Sequence, residues 1–452
     1  MKRLRTMTLW AIVFALGATS VPAFGQDNPI PDATIEKMDA LIDKDAARVQ
    51  DIYKDIHEHA ELALMETRTA GVVARELRAC GFDVKTGIGV TGVVGIMRNG
   101  EGPVMMFRAD MDALSIEEES GLPYASKERV INRDGEEVPV SHMCGHDAHT
   151  TWLIGLGKVM SEMKDEWSGT LVLVAQPAEE TIEGARAMLD DGLYTTQGVP
   201  EPDYYLALHT IPVPIGYVLA TSGRFNTGTE HIDVTFHGIG GHGSSPHHAK
   251  DPVVMAGLAI VQYQTIVSRI IDPLESAVLT IGAVHAGIDN NVIPTEATLK
   301  LKLHYSSNDV RDRMVESIIN ISNGIAESYD VSEDMMPTIV YKSSAPPVVN
   351  TPEYIDRIHE VLGEATFVEN VYSGIQVPGS DDAGALVEDV EGVRAAYLML
   401  GTVTLERFDA ARAEGKMFPF SPHEPVYAVD LDGITYGTRI ASLLVLDVMA
   451  KR

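Results

Sequence analysis

The sequence predicts an α/β layered domain interrupted by a smaller α+β unit, and three observations carry that expectation. Short apolar runs without a polar face, of the kind that form buried strands, are separated by stretches of helical periodicity. Near Gly223 the pattern switches to strict apolar–polar alternation, the mark of an antiparallel sheet with one wet face. Beyond Pro346-Pro347 the first pattern returns. The expected boundaries are a signal peptide over 1–25, an α/β domain over 26–224 and 343–452, and an inserted α+β unit over 225–342.

The first 25 residues stand apart from the fold. Lys2, Arg3 and Arg5 precede the apolar run 9–16, and Ala23-Phe24-Gly25 supplies small residues where a signal peptidase reads. That run falls well short of the roughly 20 apolar residues a bilayer span needs, which favours a cleaved leader over an anchor. Cleavage would take the formal charge from −30 to −33 and implies secretion, into the periplasm if the host has two membranes. From 35 to 58 apolar residues recur at helical spacing among charges, and 69–80 reads as a second helix stopped by Gly81. Runs 92–97, 104–107 and 170–175 read as buried strands, with a helix over 150–164 between the last two. In the inserted unit 231–237 and 297–305 alternate as strands, while 252–270 and 310–329 read as helices. Strand 231–237 is expected at an exposed sheet edge, open to pairing with a symmetry mate. A helix over 432–450 closes the chain, and no segment after the leader reads as able to span a membrane.

Composition narrows the function. Aspartate and glutamate outnumber lysine and arginine by 65 to 35, a balance that repels phosphate backbones and anionic lipid and argues against both as partners. Two cysteines, Cys80 and Cys144, allow at most one disulfide, so a disulfide scaffold is excluded. Pairing of the two in an oxidising compartment stays open at this level.

Five patches gather ligand-type residues where strand ends are expected: 141–149 with Cys144, His146 and His149; 176–180 with Glu179 and Glu180; 207–210 with His209; 240–247 with His242; and 421–425 with His423. In an open α/β sheet ligands collect beyond the carboxyl ends of strands, where such patches converge. A thiolate, imidazoles and a carboxylate suit zinc, manganese or cobalt, whereas calcium and magnesium prefer an all-oxygen shell. Adjacent side chains diverge, so one member of the Glu179-Glu180 pair can bind metal while the other faces an acidified water and exchanges its proton. Each patch also has a bland reading: a lone histidine such as His209 is more often structural, and a Glu-Glu pair is often a solvated helix start. Cys144 could likewise be an apolar filler. The conjunction of patches favours the metal reading. His57, His59, His247, His248, His285 and His359 are read as structural or surface residues.

The stretches 108–114 (Arg-Ala-Asp-Met-Asp-Ala-Leu), Cys144-Gly145-His146-Asp147, 176–180, Gly241-His242-Gly243 and Asn291-Val292-Ile293-Pro294 together resemble the M20 metallopeptidases. Their order and spacing are most similar to the amidohydrolase branch that includes hippurate and indoleacetyl-amino-acid hydrolases. The resemblance implies an α/β dinuclear-metal hydrolase domain with an inserted α+β dimerisation domain. It implies two divalent ions per subunit, zinc or manganese and less often cobalt, with Cys144 bridging them. His146, Glu180, His209 and His423 match the other ligands, and Glu179 matches the general base and acid. His242 matches a histidine that reaches the partner subunit's site, Asn291 a residue near substrate, and Asp112 a carboxylate that orients a metal-bound histidine.

Three departures from the family pattern stand out. His304 occupies a position where the branch commonly has an arginine, which weakens the expectation of free-carboxylate recognition. Gly379-Ser380-Asp381-Asp382-Ala383 lacks a usual aromatic, with an expected effect on the acyl pocket, and the surroundings of His423 are unusual. The expected activity is hydrolysis of the amide bond of N-acyl amino acids or related small conjugates. The rivals are an exopeptidase using the same site and a non-catalytic binding protein of the same fold. No nucleic-acid partner and no membrane anchor are expected.

Overall fold

The computed structural model describes residues 30–377 and 379–451, so the expected signal peptide lies outside the described residues. The apolar stripe at the start builds helix α1 (Asp32–Glu58), which buries Met38, Ile42, Val49, Tyr53, Ile56 and His57 along one side. Helix α2 (Thr67–Ala79) follows, then strands β1 (Asp83–Ile88), β2 (Gly92–Asn99) and β3 (Val104–Asp110). Helix α3 (His146–Glu162) leads to β4 (Gly169–Gln176), β5 (Tyr204–Pro214) and β6 (Tyr217–Leu219).

The chain then enters the second sheet with β7 (Gly228–His237), α4 (Pro252–Thr265), β8 (Ala277–Ala286), β9 (Glu296–Tyr305), α5 (Asn308–Ser328) and β10 (Thr338–Ala345). It returns through α6 (Pro352–Glu364), β11 (Asn370–Tyr372), β12 (Arg394–Val403) and α7 (Leu431–Met449).

The first sheet has eight strands in the order β1-β2-β4-β3-β5-β12-β6-β11. Its centre is parallel: β3 pairs in that sense with β4 and β5, and β5 with β12. Strands such as β4, buried on both faces, read as the continuous apolar runs seen in the sequence. Helices α1, α3 and α7 cover one face, burying Trp152, Trp167 and Leu444. A separate core with Val174, Met188 and Phe225 fills the other.

The second sheet is antiparallel in the order β8-β9-β7-β10. Helices α4 and α5 cover one face, where Val234, Phe236, Tyr263, Leu299 and Ile318 are buried. The sheet spans Gly228 to Ala345, beside the expected limits of 225 and 342.

Two expectations fail here. Strand 231–237 is not an edge, because β7 pairs on both sides, with β9 and β10; the edges are β8 and β10. Alternation reports which face of a strand is wet and says nothing of its neighbours. The helix over Pro252–Ile270 is long and apolar enough to cross a membrane by length and composition, contrary to the sequence reading. Its Met255, Ala256, Ala259, Tyr263 and Ile266 are packed into the core of the second sheet.

Candidate metal centre

The carboxyl ends of β3 and β4 and the start of α3 point at one place. Gly145 has φ +83°, and a Cβ there would lie 2.6 Å from Thr210 Oγ1, so only glycine lets the chain turn into α3. The turn leaves Cys144 just ahead of the helix and His146 as its first residue. His209 lies inside β5 rather than at its end, because β12 keeps pairing with β5 as far as Val403 and Pro214. The β3–β5 pairing stops at Arg108 and Ala207, so His209 still emerges level with the end of β3.

Four of the five patches converge. Ligand atoms of Cys144, His146 and His209 lie within 4.8 Å of one another, as do those of Cys144, Glu180 and His423, and of His146, Glu179 and Glu180. Cys144 Sγ is 3.6 Å from His209 Nε2, and His423 Nε2 is 3.5 Å from a Glu180 carboxylate oxygen. His146 Nε2 stands 3.7 Å from Glu179 and 3.8 Å from Glu180. His423 adopts φ +67° and its backbone N–H donates to Met143 O, a strained position of the kind kept where geometry matters.

The donors fit a cation. His146 Nε2 and Glu180 Oε1 are buried and have no hydrogen-bond partner, a costly condition that a bound cation would relieve. Asp112 lies 3.2 Å from His146 Nδ1, and His209 Nδ1–H donates to Thr210 O at 2.8 Å, which leaves both Nε2 lone pairs facing the cluster. Burial holds the His209 imidazole neutral, with a pKa of about 3. Burial, and next the Glu180 carboxylate, push the Cys144 thiol up, so a cation is needed to hold it as thiolate. His149 also lies close, but Asp110 takes its Nδ1 at 2.6 Å and the Thr210 N–H its Nε2 at 2.9 Å, leaving nothing for a metal.

Asp112 has company that was missed in the sequence: Glu66, Arg108 and Asp381 also support this cluster. Glu66 accepts from the Ala178 N–H at 2.9 Å, while the two Asp112 oxygens accept from the N–H groups of Glu179 at 3.0 Å and Glu180 at 2.9 Å. Ala178 holds φ +51°, so consecutive amides of a strained turn are clamped by two buried carboxylates. Arg108, fully buried, reaches Asp110 at 2.8 Å, Asp381 at 3.0 Å and Asp382 at 3.2 Å. Asp381 in turn lies near Glu179, and burial first, then Asp381 and Glu180, raise the Glu179 carboxyl well above the usual range. The signal for Arg108 was its place two residues before Asp110 on one strand face. Glu66 gave none, because its partner lies 112 positions away.

His242 and Asn291 do not join the cluster. They are exposed and meet each other, His242 Nε2 lying 3.2 Å from the Asn291 side-chain amide. The Ser244 N–H donates to His242 Nδ1 at 3.2 Å. Ala383, where the family pattern has an aromatic, is fully buried in the core on the second face of the first sheet. Cys80 and Cys144 are both free thiols.

The sequence profile of peptidase family M20/M25/M40 matches residues 106–414. The chain belongs to this family. It is 37% identical to a hippurate hydrolase of Campylobacter jejuni over 347 residues, covering 75% of this chain and 84% of the relative. An IAA-amino acid hydrolase (ILR1-like 2) of Arabidopsis thaliana is 29% identical over 408 residues, 89% of this chain and 85% of the relative. Both fall in the amidohydrolase branch that the motifs resemble. Among solved structures, one from methicillin-resistant Staphylococcus aureus superposes with a TM-score of 0.79 at 27% identity, covering 92% of this chain and 99% of that one. Members of the M20 family are hydrolases of amide and peptide bonds, and this chain is an enzyme of that kind.

Proposed function

We propose that the protein is an exported amidohydrolase that cleaves the amide bond of N-acyl amino acids or related small conjugates with the aid of two divalent ions. The observation that carries this reading is the set of inward, unpartnered ligand atoms around a carboxylate held by clamped backbone. Cys144, His146, Glu180, His209 and His423 would hold the ions, and zinc, manganese or cobalt suits that donor set. When bound, such ions polarise a carbonyl and acidify water.

The chain's own residues do the rest. Glu179 accepts a proton from the attacking water at its carboxylate, the water oxygen bonds to the carbonyl carbon, and the C–N bond breaks as Glu179 delivers that proton to the leaving nitrogen. Burial and then Asp381 raise its proton affinity, which suits a group that must hold a proton between the two steps. Asp112 keeps His146 and the Glu179–Glu180 backbone in place. His242 of the partner subunit would donate to the carbonyl oxygen as charge develops there, with Asn291 beside it.

A homodimer through the inserted unit supplies that histidine. It is supported by exposed apolar side chains on α4 (Val253, Val254, Leu258, Val261) next to the edge strand β8 with Val278 and Val284. The leader-like first 25 residues support export.

The test is metal analysis of the purified protein, followed by N-acetyl, N-benzoyl and N-indoleacetyl amino acids and dipeptides assayed with and without chelator. Faster turnover of the acyl amino acids, abolished by chelation and restored by zinc, manganese or cobalt, is the expected result. A clear preference for dipeptides would favour the exopeptidase reading, and activity surviving complete metal removal would overturn the mechanism.

A further inference from the structure

The wet face of the second sheet carries Lys300, Lys302 and His304 of β9, His231 and Asp233 of β7, and Lys342 of β10. Lys300 and Lys342 share Asp233, each at 3.6 Å. Lys302 is half-buried and, among the described residues, has no carboxylate within ion-pair distance. In a chain with 65 acidic side chains against 35 basic ones, a partly desolvated cation left unpaired asks for an anion from outside.

Its position says which anion. Strand register sets Lys302 opposite His231 and His304 opposite Thr229, with Lys302 and His304 on the same face two residues apart. His304 Nδ1 lies 3.2 Å from Thr227 Oγ1, and that hydroxyl donates to Gly379 O at 3.2 Å. Two residues beyond Gly379, Asp381 sits against Glu179. This face of β9 therefore overhangs the loop that borders the metal cluster.

We propose that Lys302 is a specificity-determining residue that binds a carboxylate of the substrate, beside His304 rather than through an arginine at that position. The inference rests on the amidohydrolase reading for the identity of the substrate, and it makes N-acyl amino acids with a free carboxylate the preferred class over their amides. Lysine suits the task as a compact point charge that does not need the planar fork of arginine.

The test uses full-length, metal-loaded protein. In a Glu179→Gln background, which leaves ligands intact, binding of N-benzoylglycine and N-benzoylglycinamide is measured by calorimetry. The acid should bind about tenfold or more tightly than the amide, as a charge-assisted hydrogen bond allows. Lys302→Gln should bring that ratio close to one by weakening the acid alone, Lys302→Met should do the same, and Lys302→Arg should largely keep it. Lys300→Gln, whose ammonium already has Asp233, should leave the ratio unchanged. With Glu179 intact, Lys302→Gln should raise KM for the acid several-fold more than KM for the amide.

An acid-to-amide ratio indifferent to both Lys302→Gln and Lys302→Met, or no binding of either compound, overturns the proposal. Lys302-dependent binding of the acid by a protein that hydrolyses neither compound would overturn the hydrolase reading and keep the subsite. Hydrolysis of both with a ratio independent of Lys302 would do the reverse.

Discussion

Glu179 and Glu180 are neighbours in sequence, yet the work proposed for their carboxyl groups differs, and substitution should separate them. Glu180→Ala removes an atom facing both His423 and Cys144 and should lower bound metal in elemental analysis. Glu179→Gln should keep the metal and lower kcat by about 10²–10⁴-fold, the usual worth of a positioned acid–base group. Equal metal loss in both variants would show the roles to be wrongly divided.

His57 offers a second test at this scale. Burial disfavours its charge, but hydrogen bonds to Asp147 at 2.6 Å and Glu118 at 3.0 Å outweigh that and hold its pKa up to about 9. A raised histidine pKa stabilises the fold fully below its unfolded value near 6.5, and that stability is lost as pH rises through about 9; the displacement corresponds to roughly 3 kcal/mol. His57→Gln should therefore be less stable than the wild type at pH 6 in urea unfolding, with the gap narrowing by pH 10. A constant gap would remove the charge from the explanation.

The candidate ligands were legible because thiol, imidazole and carboxylate stand together in short segments. His57 was legible only as a structural residue, although it falls on the same helical stripe as Val49, Tyr53 and Ile56, where a buried histidine needs partners.

At the scale of elements, the turn into α3 decides the geometry of the cluster. An alanine at 145 would pay for the left-handed backbone, about 1–2 kcal/mol, and its Cβ would crowd Thr210 Oγ1, which donates to Cys144 O at 2.9 Å. Gly145→Ala should lower the melting temperature and weaken metal binding together. Gly71→Ala in α2, where a Cβ meets nothing within 4 Å, should be neutral or stabilising by up to about 1 kcal/mol. Loss of stability without loss of metal in Gly145→Ala would mean that the turn supports only the fold.

Period and flanking residues were enough to find β2, β3, β4, β7 and β9, since a strand buried on one or both faces writes that fact into its side chains. They could not say that β5 runs past His209, because that depends on how far β12 follows it. Nor could they order β7 inside its sheet, for the same reason: hydrogen-bond partners distant in sequence leave no local pattern.

For the whole molecule, the question is why a histidine placed among the site residues by motif stands apart from them. Within one subunit, exposed His242 is tied to Ser244 and Asn291, while the ligand set is assembled without it. In the proposed dimer a second subunit would resolve the mismatch, joining at the apolar outer side of α4 beside edge strand β8. Complementation tests this directly. Glu179→Gln and His242→Ala should each be nearly inactive; unfolded and refolded together, they should form mixed dimers in which one site has an intact Glu179 and receives an intact His242 from its neighbour. Random pairing makes about half of the dimers mixed, each with one working site, so activity should return to about a quarter of the wild-type value. Neither parent refolded alone should recover any. A mixture that stays inactive while mass measurements show mixed dimers would mean that His242 serves its own subunit or takes no part in the chemistry.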